Sequence, residues 1–89
     1  SLIVAVFVRG ARGTRPVAVV TGGARGIGLA IAKWFLAHDY RVALFDIESA
    51  TLNQTDTELN DPSNVLALRC DVSKPEQVQA SIDAVAKKF

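Results

Sequence analysis

Three times between Val17 and Phe89 a short apolar run gives way to a segment of helical period, and this alternation constrains the fold more than any other feature of the chain. Val17 to Thr21 is a β-branched run suited to a strand buried on both faces, and it stops at Gly22-Gly23. From Gly26 to about His38, Ile27, Ile31, Trp34 and Phe35 recur at helical spacing with Lys33 on the polar side, which predicts an amphipathic helix with those four residues inward. Arg41 to Phe45 predicts a second strand, closing at Asp46. Glu48 to Leu59 predicts a helix held only by Leu52 and Leu59, and Asp61-Pro62-Ser63-Asn64 a turn. Val65 to Cys70 then makes a third strand, ending at Asp71. In Ser73-Lys-Pro-Glu76 the serine hydroxyl is expected to cap a helix, with the proline in an early position and the glutamate completing a capping box. Val78, Ile82, Val85 and Phe89 follow as one buried stripe.

Strand and helix in alternation build a parallel sheet, because each crossover must return over a face of the sheet. With right-handed crossovers the result is half of a doubly wound, Rossmann-type α/β fold, its three strands in the order 3-2-1. We expect this unit to span residues 16–89, preceded at 1–15 by an apolar strand-like extension and a Gly/Arg-rich linker.

Composition narrows the partners. A net charge of +1 over 89 residues gives no basic face for nucleic acid or an anionic membrane. The Leu2 to Val8 run is far short of the roughly 20 residues of a membrane-spanning helix. Its flanks are also wrong for a signal peptide, since Arg9, Arg12 and Arg15 follow the run. The single cysteine, Cys70, has no disulfide partner within the sequence and no metal-ligand spacing around it, so a reducing compartment, the cytoplasm or an organelle matrix, is expected.

Between the first strand and its helix stands Thr21-Gly22-Gly23-Ala24-Arg25-Gly26-Ile27-Gly28. Gly22 would permit a sharp turn off the strand, Gly26 a close approach of backbone to a pyrophosphate, and Gly28 tight packing of helix on sheet. The opening turn, which includes Ile27, would turn its free N–H groups toward the phosphates. A glycine cluster can also be a turn and nothing more. The setting, after a strand, before a helix and about 20 residues ahead of an acid, favours the phosphate site.

Asp46 ends the second strand, where its carboxylate could accept hydrogen bonds from both hydroxyls of an adenosine ribose and repel a 2′-phosphate, favouring NAD over NADP. It could equally cap the following helix. Arg25 is a possible counterweight, able to pair with a 2′-phosphate or to sit beside the pyrophosphate. At the end of the third strand Asp71 could accept from an adenine amino group, with the Val72 backbone serving the ring, or Asp71 could simply begin a turn.

In this order, the glycine loop, Asp46 and Asp71-Val72 resemble the T-G-x-x-x-G-x-G loop, ribose-binding acid and adenine-side Asp-Val of the short-chain dehydrogenases/reductases, over about Pro16 to Phe89. The resemblance implies an oxidoreductase passing hydride between NAD(H) and a small-molecule alcohol or carbonyl, in a homo-oligomer. It also implies catalysis by a serine and a Tyr-x-x-x-Lys pair beyond an Asn-Asn-Ala-Gly motif. None of these is in the chain: the one tyrosine, Tyr40, has Leu44 four residues on. The 89 residues alone are therefore expected to be inactive. A non-catalytic nucleotide-binding or interaction module is the competing expectation.

His38 and Asp39 stand where that family often has the glycine ending its first helix. The resemblance also leaves the first of the three strands without its neighbour on one side. Leu2 to Val8 is joined to that strand by a linker too short for a parallel crossover. It is expected either to pair antiparallel in the vacant position, in its own chain or a neighbouring one, or to be a disordered extension foreign to the family fold.

Overall fold

The computed structural model describes residues 3–7, 15–22 and 26–89, with side chains from Arg15 onward in those ranges except that of Ile27. All of the predicted linker Arg9 to Arg15 except Arg15 itself, and Gly23, Ala24 and Arg25 of the glycine loop, lie outside the described residues.

Seven elements follow one another: β1 (Ile3–Phe7), β2 (Val17–Thr21), α1 (Gly26–Ala37), β3 (Arg41–Asp46), α2 (Ser49–Leu59), β4 (Val65–Arg69) and α3 (Pro75–Lys88). They form one sheet in the order β1-β2-β3-β4. Strands β2, β3 and β4 are parallel, in registers that set Val17 beside Arg41 and Val42 beside Val65. These are the three strands of the expected 3-2-1 arrangement. Strand β1 runs antiparallel on the free side of β2, with Ile3 beside Thr21 and Phe7 beside Val17. The antiparallel pairing expected of the opening apolar run thus forms, within the chain itself.

Strand alternation divides the interior into two layers. Val20, Val42, Leu44 and Val65 point to the side covered by α1 and α2, where they meet Ala32, Leu52, Ile31, Phe35, Leu36 and Leu59. Val17, Val19, Ala43 and Phe45 point to the opposite side, covered by α3 through Val78, Ile82, Val85 and Phe89. Strand β2 is buried along its whole length, as are Val42 to Asp46 of β3, which is why neither shows polar alternation. Complete burial of one such aliphatic or aromatic side chain contributes about 1.5–3 kcal/mol.

Two local expectations are corrected. Trp34 does not face the core: it is 54% exposed and stacks on His38, ring centroids 3.8 Å apart. Helix α1 packs on the sheet through Ala32, with Ile31, Phe35 and Leu36 beside it, and Gly28, four residues before Ala32 on the same face, is buried too. Trp34 lies two residues, about 200° of helical turn, from Ala32. The capping box before α3 does not form either. The N-cap is Lys74, without a side-chain cap bond, and Pro75 takes the first turn as expected. The Ser73 hydroxyl donates backward to Asp71 Oδ1 at 2.6 Å, satisfying that carboxylate and not the helix.

Helix α1 ends through Phe35, whose carbonyl accepts from the N–H groups of His38 and Tyr40, and Asp39 is left with a φ of 65°. A side-chain-bearing residue therefore occupies a left-handed position that favours glycine. At the same end of the sheet, Arg41 lies over the Phe89 ring and Lys88 Nζ donates to the Pro62 carbonyl, fastening the last turn of α3 beneath the strand starts.

Candidate functional site

The three parallel strands end together, and their carboxyl ends are tied by backbone bonds. The Gly22 N–H donates to the Phe45 carbonyl at 2.7 Å, and the Cys70 N–H to the Asp46 carbonyl at 2.9 Å. Gly22, with a φ of 67°, turns the chain off β2 in a conformation that side chains disfavour. Above these ties opens a cleft of about 200 Å³ lined by Thr21, Gly22, Phe45, Asp46, Ile47, Cys70, Asp71 and Val72. A drug-sized site occupies roughly 300–1,000 Å³, so this is room for one end of a dinucleotide.

Asp46 forms the middle of the cleft and is 7% exposed. Its Oδ1 accepts the Glu48 N–H at 3.2 Å, the turn-stabilising bond that its position suggests. Its Oδ2 is buried and has no partner among the described residues. Such an orphaned acceptor costs about 1–3 kcal/mol.

Asp71 is differently placed. Its carboxylate accepts from both the hydroxyl and the N–H of Ser73, and these two bonds, the hydroxyl first, hold its pKa below the ordinary 3.8. The Asp71 N–H donates to Gln77 Oε1 of α3 at 2.9 Å. Gln77 thus fixes the β4–α3 turn, a role the sequence reading missed because the residue lies on α3 rather than in the loop. Ile47 and Val72, 51% and 44% exposed, are apolar side chains at the cleft mouth. Ile47 was missed too, its only signal being that it follows Asp46.

The predicted site residues fall at one edge of the sheet, in two parts. Gly22, Asp46, Asp71 and Val72 line the cleft. Gly26 opens α1 with a φ of 33°, and a Cβ added there would meet nothing within 4 Å. Gly28 is buried in the first turn. The backbone of Ile27 lies between them, whereas Arg25 is outside the described residues. Cys70 is buried and free. Tyr40 packs edge-on against Phe35, at the opposite end of α1 from the cleft. Among the described residues there is no cluster of ligands able to hold a metal, and no helix long and apolar enough to cross a membrane.

The short chain dehydrogenase family model matches residues 16–89, which takes in all three parallel strands and their helices. The chain belongs to the short-chain dehydrogenase family. Members of this family bind nicotinamide dinucleotide cofactors in general. The chain is 43% identical over 75 residues to the 2-(R)-hydroxypropyl-CoM dehydrogenase of Xanthobacter autotrophicus, covering 82% of this chain and 30% of that protein. It is 33% identical over 73 residues to zerumbone synthase of Zingiber zerumbet, covering 82% and 27%. A solved short-chain dehydrogenase/reductase of Sinorhizobium meliloti superposes with a TM-score of 0.76 at 37% identity, covering 89% of this chain and 37% of that one. This short-chain dehydrogenase sequence therefore spans between 27% and 37% of these relatives' lengths.

Proposed function

We propose that these residues hold the adenosine and pyrophosphate of NAD in an oxidoreductase that moves hydride between the cofactor and an alcohol or carbonyl carbon. The observation that carries the reading is the orphaned Asp46 Oδ2. It is a buried carboxylate oxygen with spare acceptor capacity, on a residue that lines a cleft at the carboxyl edge of a parallel sheet. A ribose supplies hydroxyl donors of the kind that oxygen lacks. A 2′-phosphate would set anion against anion, so the residue favours NAD over NADP.

Around Asp46 the remaining assignments follow from chemistry. Asp71 accepts from the adenine amino group, the Val72 backbone serves the ring, and the apolar side chains of Ile47 and Val72 offer contact area to a planar base. The open space over Gly26, at the amino end of a twelve-residue helix, suits a pyrophosphate received by the N–H groups of the first turn, Ile27 among them. Gly22 and Gly28 keep that approach clear. Arg25 is assigned to the pyrophosphate's flank. The nicotinamide supplies the hydride chemistry when bound. Proton transfer is assigned to groups outside these 89 residues, which hold no Tyr-x-x-x-Lys pair and by themselves should not turn over substrate. The setting proposed is a cytoplasmic homo-oligomer.

Calorimetric titration of the chain with NAD and with NADP tests the reading. Tighter binding of NAD is expected. Equal or tighter binding of NADP would remove Asp46 from the ribose, and no heat with either would show that these residues do not assemble the site alone.

A further inference from the structure

Between the end of β4 and the start of α3 the chain turns through Cys70, Asp71, Val72, Ser73 and Lys74, and nearly every main-chain donor in that turn is engaged. The Cys70 N–H donates to the Asp46 carbonyl, the Lys74 N–H to the Asp71 carbonyl and the Ser73 N–H to Asp71 Oδ1. The Asp71 N–H leaves the turn altogether and donates to Gln77 Oε1 on α3 at 2.9 Å. The Val72 N–H is the one left without a partner among the described residues. Beside it, the Asp71 carboxylate has Oδ1 engaged twice by Ser73, which leaves Oδ2 as an acceptor. The turn thus offers one donor and one acceptor, on two residues that line the cleft.

Gln77 is the third residue of α3 after its N-cap, Lys74. A glutamine there ordinarily reaches back to the N-cap N–H and closes half of a capping box. Here the Lys74 N–H is taken by the Asp71 carbonyl, and the Gln77 side chain reaches past the N-cap to Asp71. Its bond therefore serves the turn and not the helix start, which has Pro75 in its first turn and main-chain bonds from Gln77 and Val78 to the Lys74 carbonyl. Helix α3 is itself anchored on the sheet through Val78, Ile82 and Val85. Through Gln77 that anchorage sets the orientation of the Asp71 main chain. The pairing edge of adenine presents an amino donor beside a ring-nitrogen acceptor, the complement of Asp71 Oδ2 and the Val72 N–H. Hypoxanthine presents the reverse, an oxo acceptor beside an N–H donor, and a site built for one pattern rejects the other by leaving its own polar groups unpaired.

We propose that Gln77 is a positioning residue for base selection: its side-chain amide holds Asp71 so that the turn accepts an amino purine and rejects an oxo purine. The inference rests on the cofactor reading above, since it takes the cleft as the place of a nucleotide base. Removing the amide oxygen leaves the Asp71 N–H unbonded and lets the Asp71 carboxylate and the Val72 N–H turn independently of α3. Discrimination between bases is then lost before binding is, because the ribose and the pyrophosphate are assigned to other residues.

Two substitutions test it. Gln77→Met keeps the length and helix preference of the side chain without the oxygen, and Gln77→Glu keeps the oxygen. Calorimetry with NAD and with its hypoxanthine analogue reads the base choice, and amide hydrogen exchange of the ligand-free chain reads the turn. The parent should favour NAD by roughly 10-fold, the effect of one mispaired hydrogen bond. In Gln77→Met that ratio should fall toward unity and the Asp71 amide should exchange at least about 10-fold faster, while Val78–Val85 exchange as in the parent. Gln77→Glu should restore the Asp71 protection and most of the ratio. A parent that binds both dinucleotides equally would overturn the proposal, as would a Gln77→Met chain whose Asp71 amide stays as protected as before. So would an equal loss of affinity for both dinucleotides at an unchanged ratio, the mark of a bond that is structural alone. Binding of neither dinucleotide by the parent refutes the cofactor reading instead, and the exchange of the Asp71 amide then decides by itself whether Gln77 holds the turn.

Discussion

Replacing Asp46 by asparagine separates a structural role for this residue from a binding one. Its Oδ1 accepts the Glu48 N–H at 3.2 Å, and the asparagine carbonyl can keep that bond. Its Oδ2 is buried without a partner among the described residues, a condition that costs about 1–3 kcal/mol in the ligand-free chain. A neutral amide is less costly to bury than a carboxylate. Asp46→Asn should therefore leave the free chain as stable as before, or more stable by up to about 1 kcal/mol. Binding should move the other way. A hydrogen bond to a charged acceptor contributes about 1.5–3 kcal/mol, so NAD affinity should fall roughly 10- to 150-fold at 1.4 kcal/mol per decade. The preference for NAD over NADP should shrink with the loss of charge. Urea unfolding followed through the single tryptophan, Trp34, gives the stability, and calorimetry gives the affinity. A loss of more than about 1 kcal/mol in stability with unchanged NAD affinity, against the net contribution of an ordinary hydrogen bond, would show that Asp46 serves the turn alone.

Four further outcomes are expected. Gly26→Ala should cost about 1 kcal/mol through the positive φ and abolish measurable NAD binding, since its Cβ would occupy the open space at the start of α1; unchanged calorimetric affinity would remove the phosphate from that position. Asp39→Gly should stabilise the chain by about 0.5–1 kcal/mol by relieving the left-handed conformation that ends α1, seen as a raised melting temperature. Leu44→Ala, at a fully buried position, should cost about 2–5 kcal/mol and leave a domain this small largely unfolded by circular dichroism. Ser73→Ala removes the larger of the two bonds to Asp71, so the Asp71 pKa should rise toward 3.8 in an NMR titration. Because the folded value lies below the ordinary one, the stabilisation from this carboxylate is present above pH 3.8 and lost as pH falls through the folded pKa. The variant should therefore be less stable than the parent near neutrality in urea unfolding, and the difference should disappear as pH falls below the folded pKa of the parent.

The strands were legible because burial on both faces leaves an unmistakable trace: Val17–Thr21 and Arg41–Asp46 are nearly unbroken apolar runs closed by a turn residue or an acid. Gly22 and Asp46 stand at those closures and Asp71 just past the end of β4, so finding the strand ends found these cleft residues proposed to hold cofactor. Trp34 misled because periodicity defines a helical stripe more broadly than it defines which line touches the sheet. The buried face here runs through Gly28 and Ala32, residues too small to register as hydrophobic anchors. Ser73 misled because its hydroxyl had two acceptable partners, and a carboxylate two residues back won over the helix end. Gln77 and the empty Oδ2 of Asp46 had no sequence signal, since each depends on how side chains from separate elements meet.

The bonds from Gly22 to Phe45 and from Cys70 to Asp46 carry a consequence for how a site of this kind changes over evolutionary time. They join the three strand ends through main-chain atoms alone, so the spacing between the cleft's floor positions is the spacing of the sheet, whatever side chains stand there. Residues 46, 47, 71 and 72 can then be exchanged without moving the frame that presents them. A lineage could alter which nucleotide it prefers by single substitutions on an unchanged scaffold, much as type is reset in a fixed press.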